Sequence, residues 1–139
     1  MKPPAHHALF VFYVSSQERS CAFYRAVLGV EPTLNVPGMT EFPLAGGGSL
    51  GLMPEVGVVR LLGQAVPNPA SASGIPRAEL YLIVEDAAVY HDRAIAHGAR
   101  EISPLLQRDW GDRAAYSLDL DGHVLAFAER SRSGAVEST

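Results

Sequence analysis

The same apolar stripe occurs twice in this chain. Ser20, Phe23, Tyr24, Val27 and Leu28 are matched by Ala87, Tyr90, His91, Ala94 and Ile95 at a constant offset of 67 residues. Both sets follow the i, i+3, i+4, i+7, i+8 spacing of one helix face. Ahead of each stripe runs a short apolar, strand-like segment, Leu9–Val14 and Glu79–Val84, and these are offset by 70 residues. Residue identities do not repeat but the pattern does, so the chain reads as an internal duplication of one supersecondary unit.

Each copy has the order β-α-β-β-β. In the first, LFVFYV (Leu9–Val14) has the β-branched and aromatic composition of a strand covered on both faces. Ser15 with Glu18 three residues on reads as a capping box, and Gly29 as the helix stop. Three β-like stretches follow at Glu31–Val36, Met39–Leu44 and Ser49–Pro54, separated by Pro37-Gly38 and Ala45-Gly46-Gly47-Gly48. In the second copy Asp86 is the expected helix N-cap and Gly98 the stop. Strands are then expected near Arg100–Leu106, Ala114–Asp119 and His123–Glu129, the last two joined through the hairpin signal Asp121-Gly122. The organisation is therefore one domain over residues 1–139, with module 1 at about 8–54, a connector at 55–76, module 2 at about 77–130 and a frayed tail at 131–139. The connector is rich in Pro, Ala and Ser, but Val58, Val59, Leu61 and Leu62 want cover, so its first part is expected to pack as a short helix over an opening or against a second subunit.

Charge and composition exclude several classes. Eleven basic and fifteen acidic residues give a formal charge of −4, with Lys2 as the only lysine, which disfavours nucleic acid as a partner. No apolar run approaches the ~20 residues that span a bilayer, and Met1–His7 lacks the apolar middle of a secretion signal. A single cysteine, Cys21, falls within the first helical stripe and reads as a packed thiol. A cytoplasmic protein without a membrane partner is expected. The chain has neither a Gly-x-Ser-x-Gly nucleophile elbow nor a Walker phosphate loop.

Four segments carry a family resemblance. The strand ending in Val14, followed by Arg19-Ser20 and Phe23-Tyr24-Arg25-Ala26-Val27-Leu28-Gly29, resembles the opening of glyoxalase-type domains; Glu79–Asp86 and Asp119-Leu120-Asp121-Gly122-His123-Val124-Leu125 are similar to the family's fifth strand with its helix cap and to its final hairpin. The chain thus resembles the glyoxalase/bleomycin resistance protein/extradiol dioxygenase superfamily, the vicinal oxygen chelate fold. The resemblance implies an α+β fold in which two βαβββ modules form an open, eight-stranded, cup-shaped mixed sheet with helices outside. It also implies a divalent metal that acts as a Lewis acid on two neighbouring substrate oxygens.

Carried onto this chain, the family's metal-ligand positions fall on Leu9, Gly51, Glu79 and Ala126, of which only Glu79 has a side-chain donor. Moving any strand by one residue recruits no further ligand, since the neighbours are Ala8, Phe10, Leu50, Leu52, Ala78, Leu80, Leu125 and Phe127. His7, two residues before Leu9, would join Glu79 in an improvised metal site if the first strand began early. No cofactor is therefore expected, with a divalent metal at His7 and Glu79 as the alternative.

Alternation assigns Phe10, Phe12, Val14, Leu50, Leu52, Leu80, Leu82, Val84, Leu125 and Phe127 to the core beneath the helices. The opposite faces carry Leu9, Val11, Tyr13, Gly51, Met53, Glu79, Tyr81, Ile83, Val124, Ala126 and Ala128, an apolar lining suited to an apolar or aromatic ligand. A carboxylate buried among Leu9, Val11 and Ala126 requires a partner or a raised pKa, so Glu79 is the candidate orienting acceptor or general base, with Arg113 or Arg60 as an ion-pair partner if its role is structural. In the loop Arg108–Arg113, Trp110 is placed to stack on a planar ligand and Arg113 to meet an anionic group. Candidate ligand-binding residues are thus Tyr13, Met53, Glu79, Tyr81, Trp110 and Arg113. The expected function is metal-free binding of a small molecule, in the manner of bleomycin-resistance-type proteins, by a homodimer. The alternative is a glyoxalase- or dioxygenase-like lyase or isomerase that uses a divalent metal or Glu79 as base.

Overall fold

A computed structural model describes residues 6–130 of the chain; the tail at 131–139 lies outside them. The chain divides between Ser73 and Gly74 into two compact units. In the first, β1 (Leu9–Val14) leads into α1 (Gln17–Leu28), β2 (Leu34–Val36), β3 (Met39–Pro43), β4 (Ser49–Pro54) and α2 (Glu55–Leu62), and two short 3₁₀ turns follow. In the second, β5 (Glu79–Ile83) is followed by α3 (Ala87–Ala96), β6 (Arg100–Gln107), β7 (Arg113–Leu118) and β8 (Val124–Glu129). Each unit is an α+β module with a four-stranded mixed sheet, ordered β1-β4-β3-β2 and β5-β8-β7-β6. The first and last strands of each module pair in parallel, and the remaining pairs are antiparallel.

The first helix begins one residue later than the capping-box reading places it. Ser16 is the N-cap, extended at φ −138°, and its hydroxyl accepts from the Arg19 amide at 3.2 Å. Glu18 is therefore the second helical residue, where it meets the positive end of the helix dipole but cannot close the reciprocal bond of a capping box. Gly29 ends the helix as expected, at φ 70°, with its amide bonded to the Arg25 carbonyl. Asp86 caps α3 through the Val89 amide at 3.3 Å.

Both cores lie between a helix and the middle of its own sheet. Tyr24 packs edge-on against Phe23 and tilted against Phe12 and Phe42, and Cys21 is buried beside them. In the second unit Tyr90 lies on Phe127, and Ala87 and Ala94 are fully buried. The expected core holds at Phe12, Val14, Leu50, Leu52, Leu125 and Phe127, all buried. It fails at Phe10, which is 65% exposed, and weakens at Leu80, Leu82 and Val84, which are half-buried. These residues lie on β1 and on or just after β5, the edge strands of their sheets, while α1 packs chiefly on β4 and β3, reaching β1 through Tyr24 on Phe12, and α3 on β8, β7 and β6.

The connector does form a helix, α2, but only Val58 on it is buried, while Val56 and Leu61 are each 69% exposed. No helix among the described residues is long and apolar enough to cross a membrane. Phe42 is fully enclosed, so Phe42→Ala is expected to lower the free energy of unfolding by about 3–5 kcal/mol, as truncation of core aromatics does. Urea denaturation measures it, and a loss under about 1 kcal/mol contradicts this packing.

Candidate functional site

Register places the candidate residues of the second unit on one sheet face. Tyr81 of β5 and Tyr116 of β7 are both direct partners of Ala126 on β8, so the methyl group lies between two tyrosines. Glu79, Ile83, Val124, Ala128, Ala114 and Leu118 share this face. Glu79 is exposed, contrary to the expectation of a buried carboxylate, and among the described residues none donates a hydrogen bond to it. Its charge acts on Tyr116, whose phenol is held above its ordinary pKa first by burial and then by Glu79.

The loop between β6 and β7 closes over the same edge. The Arg108 amide bonds the Asp112 carbonyl at 2.8 Å, and the Arg108 guanidinium reaches Ser103 Oγ and the Pro104 and Ala114 carbonyls while lying over the Tyr116 ring. The Ser103 and Pro104 acceptors are available because β6 is an edge strand whose register shifts on either side of Ser103, next to Pro104. Trp110 projects from the loop with its ring 6.5 Å from that of Tyr81, and its Nε1–H donates to the Tyr81 hydroxyl at 2.8 Å. Tyr81 in turn donates to Asp112 Oδ2 at 2.6 Å, and Arg130 Nε donates to Asp112 Oδ1 at 3.2 Å. Arg130, then Tyr81, hold the Asp112 carboxyl below its ordinary value. Burial and the bond to Asp112 push the Tyr81 phenol up.

Arg113 does not join this cluster. It pairs with Glu129 at 3.2 Å on the opposite, helix-covered face, where Glu129 also accepts from the Ala87 amide. Its parity follows that of Ala115 and Ser117, so it neither faces a ligand beside Tyr81 nor serves as an ion-pair partner of Glu79. Tyr13 and Met53 belong to the first unit, where the β1–β4 register sets them side by side. Tyr116, Arg108 and Arg130 are the additions. The signal for Tyr116 lay in the Asp121-Gly122 turn, from which the β7–β8 register counts back to Ala126.

A resident metal, which the family implies, does not fit the side chains at the expected positions. In the first sheet, Leu9 Cδ1, Val11 Cγ2 and Met39 Sδ would each lie 3.2 Å from a Cβ added at Gly51, so apolar atoms already close over that glycine. In the second sheet, Ala126 presents only its methyl group between the tyrosines. His7 lies before β1, which starts no earlier than Leu9, and its Nε2 shares a 2.8 Å hydrogen bond with Ser49 Oγ. Among the described residues no three His, Cys, Asp or Glu are grouped to hold a metal ion.

The sequence profile of the Glyoxalase/Bleomycin resistance protein/Dioxygenase superfamily matches residues 5–127. The chain belongs to this superfamily. Solved structures agree on the fold. A glyoxalase-related enzyme from Fulvimarina pelagi is 21% identical, with a TM-score of 0.74 over 88% of this chain and 86% of that one. A glyoxalase/bleomycin resistance protein/dioxygenase from Nocardioides is 20% identical, with a TM-score of 0.70 over 96% and 87%. A protein from Agrobacterium tumefaciens, solved by solution NMR, is 26% identical, with a TM-score of 0.69 over 92% and 99%. No curated protein matches the sequence.

The depressed Asp112 carboxyl gives this superfamily member a testable acid sensitivity. A carboxyl whose folded value lies below its ordinary 3.8 contributes stability that is complete above that value and is lost as pH falls through the lower folded one. Asp112→Asn is therefore expected to lower the Tm most at pH 6–7, with the gap to wild type closing as pH drops below 3.8. Thermal unfolding of both proteins across that range checks it; a gap that stays constant with pH contradicts the assignment.

Proposed function

We propose that this chain is a small-molecule-binding member of the superfamily that works without a resident metal ion, as a cytoplasmic homodimer, and takes a planar, largely apolar ligand on the face of its second sheet. One observation carries this reading: Ala126, where the family resemblance sets the last metal ligand, is flanked in register by Tyr81 and Tyr116, with Trp110 beside Tyr81. The aromatic rings offer dispersion and stacking contacts, and the buried Ala126 methyl group supplies no metal donor. Glu79 and the Tyr116 hydroxyl supply the few polar groups that orient a ligand on such a surface. Support for a dimer comes from α2, whose apolar side chains Val56, Val59, Leu61 and Leu62 point outward.

The first test is titration with acridine, a planar probe, followed by calorimetry. Binding is expected to weaken roughly 2- to 10-fold in Trp110→Ala and in Tyr116→Ala, matching the ~0.5–1.5 kcal/mol of an aromatic pair. Affinity unchanged in both variants removes this face from ligand binding. Chemical turnover of a compound that co-purifies with the protein, abolished in Glu79→Gln, transfers the chain to the enzyme reading with Glu79 as base.

A further inference from the structure

We propose that Asp112 is a positioning residue for Trp110: acting through the Tyr81 hydroxyl, it holds the indole in place before any ligand arrives. Trp110 is 59% exposed, so packing alone leaves its ring free to turn. What fixes it is a chain of hydrogen bonds with a single direction. The indole Nε1–H can only donate, and it donates to the Tyr81 oxygen. That oxygen presents a lone pair to Trp110 because its own proton is committed to Asp112 Oδ2. Asp112, only 3% exposed, is held as an acceptor by Arg130, whose Nε–H donates to Oδ1 at 3.2 Å and whose Nη2–H donates at 3.4 Å to Oδ2, the oxygen that also accepts from Tyr81. An ionised carboxylate has no hydrogen to donate, so the order Trp110 to Tyr81 to Asp112 cannot reverse.

The loop supplies the geometry. Asp112 lies two residues after Trp110, and the Arg108 amide to Asp112 carbonyl bond, with Gly111 bonded back to Arg108 at 3.1 Å, turns both side chains toward Tyr81. An amide at position 112 keeps the shape but breaks the polarity, because its NH2 group competes with Trp110 for the Tyr81 lone pair. The significance of a held indole rests on the proposed ligand face; the hold itself does not.

Trp110 is the sole tryptophan, so fluorescence of the intact protein without ligand reports on this ring alone. Asp112→Asn and Tyr81→Phe are each expected to raise acrylamide quenching and the fast component of the anisotropy decay by about twofold, the scale set by losing one hydrogen bond. The double variant is expected to loosen the indole at least as far as Tyr81→Phe, since the indole N–H also lies within direct reach of the Asp112 carboxylate. Wild-type quenching and motion in folded Asp112→Asn overturn the proposal. If Asp112→Asn does not fold, Tyr81→Phe decides, and an immobile indole there overturns it as well. A loosened indole with unchanged acridine affinity supports the positioning role while removing Trp110 from the ligand face.

Discussion

Parallel pairing between the first and last strand of each module sets what every other residue can do. A helix must carry the chain across the sheet before the second parallel strand can form, and that helix covers one face of the central strands. The other face then receives alternate residues from both strands in fixed register. In the first module this puts Gly51 under Leu9, Val11 and Met39. In the second it puts Ala126 beside Tyr81, and the antiparallel β7 adds Tyr116 from the far side. The residues at these register positions are apolar: Gly51 is closed over by side chains and Ala126 is fully buried between two tyrosines.

The polar groups around that surface are already committed, which narrows what a ligand meets. Arg108 lies on Tyr116 and is tied to three acceptors, Arg130 is bonded to Asp112, and Arg113 is bonded to Glu129 on the other face. The Tyr81 hydroxyl both donates and accepts within the protein. Among the described residues, what remains open is the Glu79 carboxylate, the Tyr116 hydroxyl and the exposed face of Trp110. On the proposed ligand face, selection would rest on shape and stacking more than on charge pairing.

Much of the fold was legible in the sequence because its signals are local. The bounds of β1 and β4, the stop at Gly29, the cap at Asp86 and the helical turn after Pro54 follow from side-chain period and turn chemistry within a few residues. Misreadings arose where the answer depends on neighbours distant in sequence. Phe10 has the right parity for the core but lies near the start of an edge strand, whereas Tyr24 of α1 packs on Phe12 further along it. The loop sequence alone suggests the ligand face for Arg113, but Arg113 is the first residue of β7 and its pairing with Glu129 sets it on the opposite face. Tyr116 likewise joins the site only through its strand pairing with Ala126, and the buried role of Asp112 depends on Arg130, eighteen residues away. Glu79 was expected among apolar side chains and is exposed.

Elemental analysis of the purified, unsupplemented protein tests the central claim most directly, since a face built from alanine and aromatic rings in place of metal ligands should retain no divalent ion. The account predicts far less than one equivalent of metal per chain after gel filtration. One equivalent of a divalent metal, retained by the wild type and lost in Glu79→Ala, would contradict it.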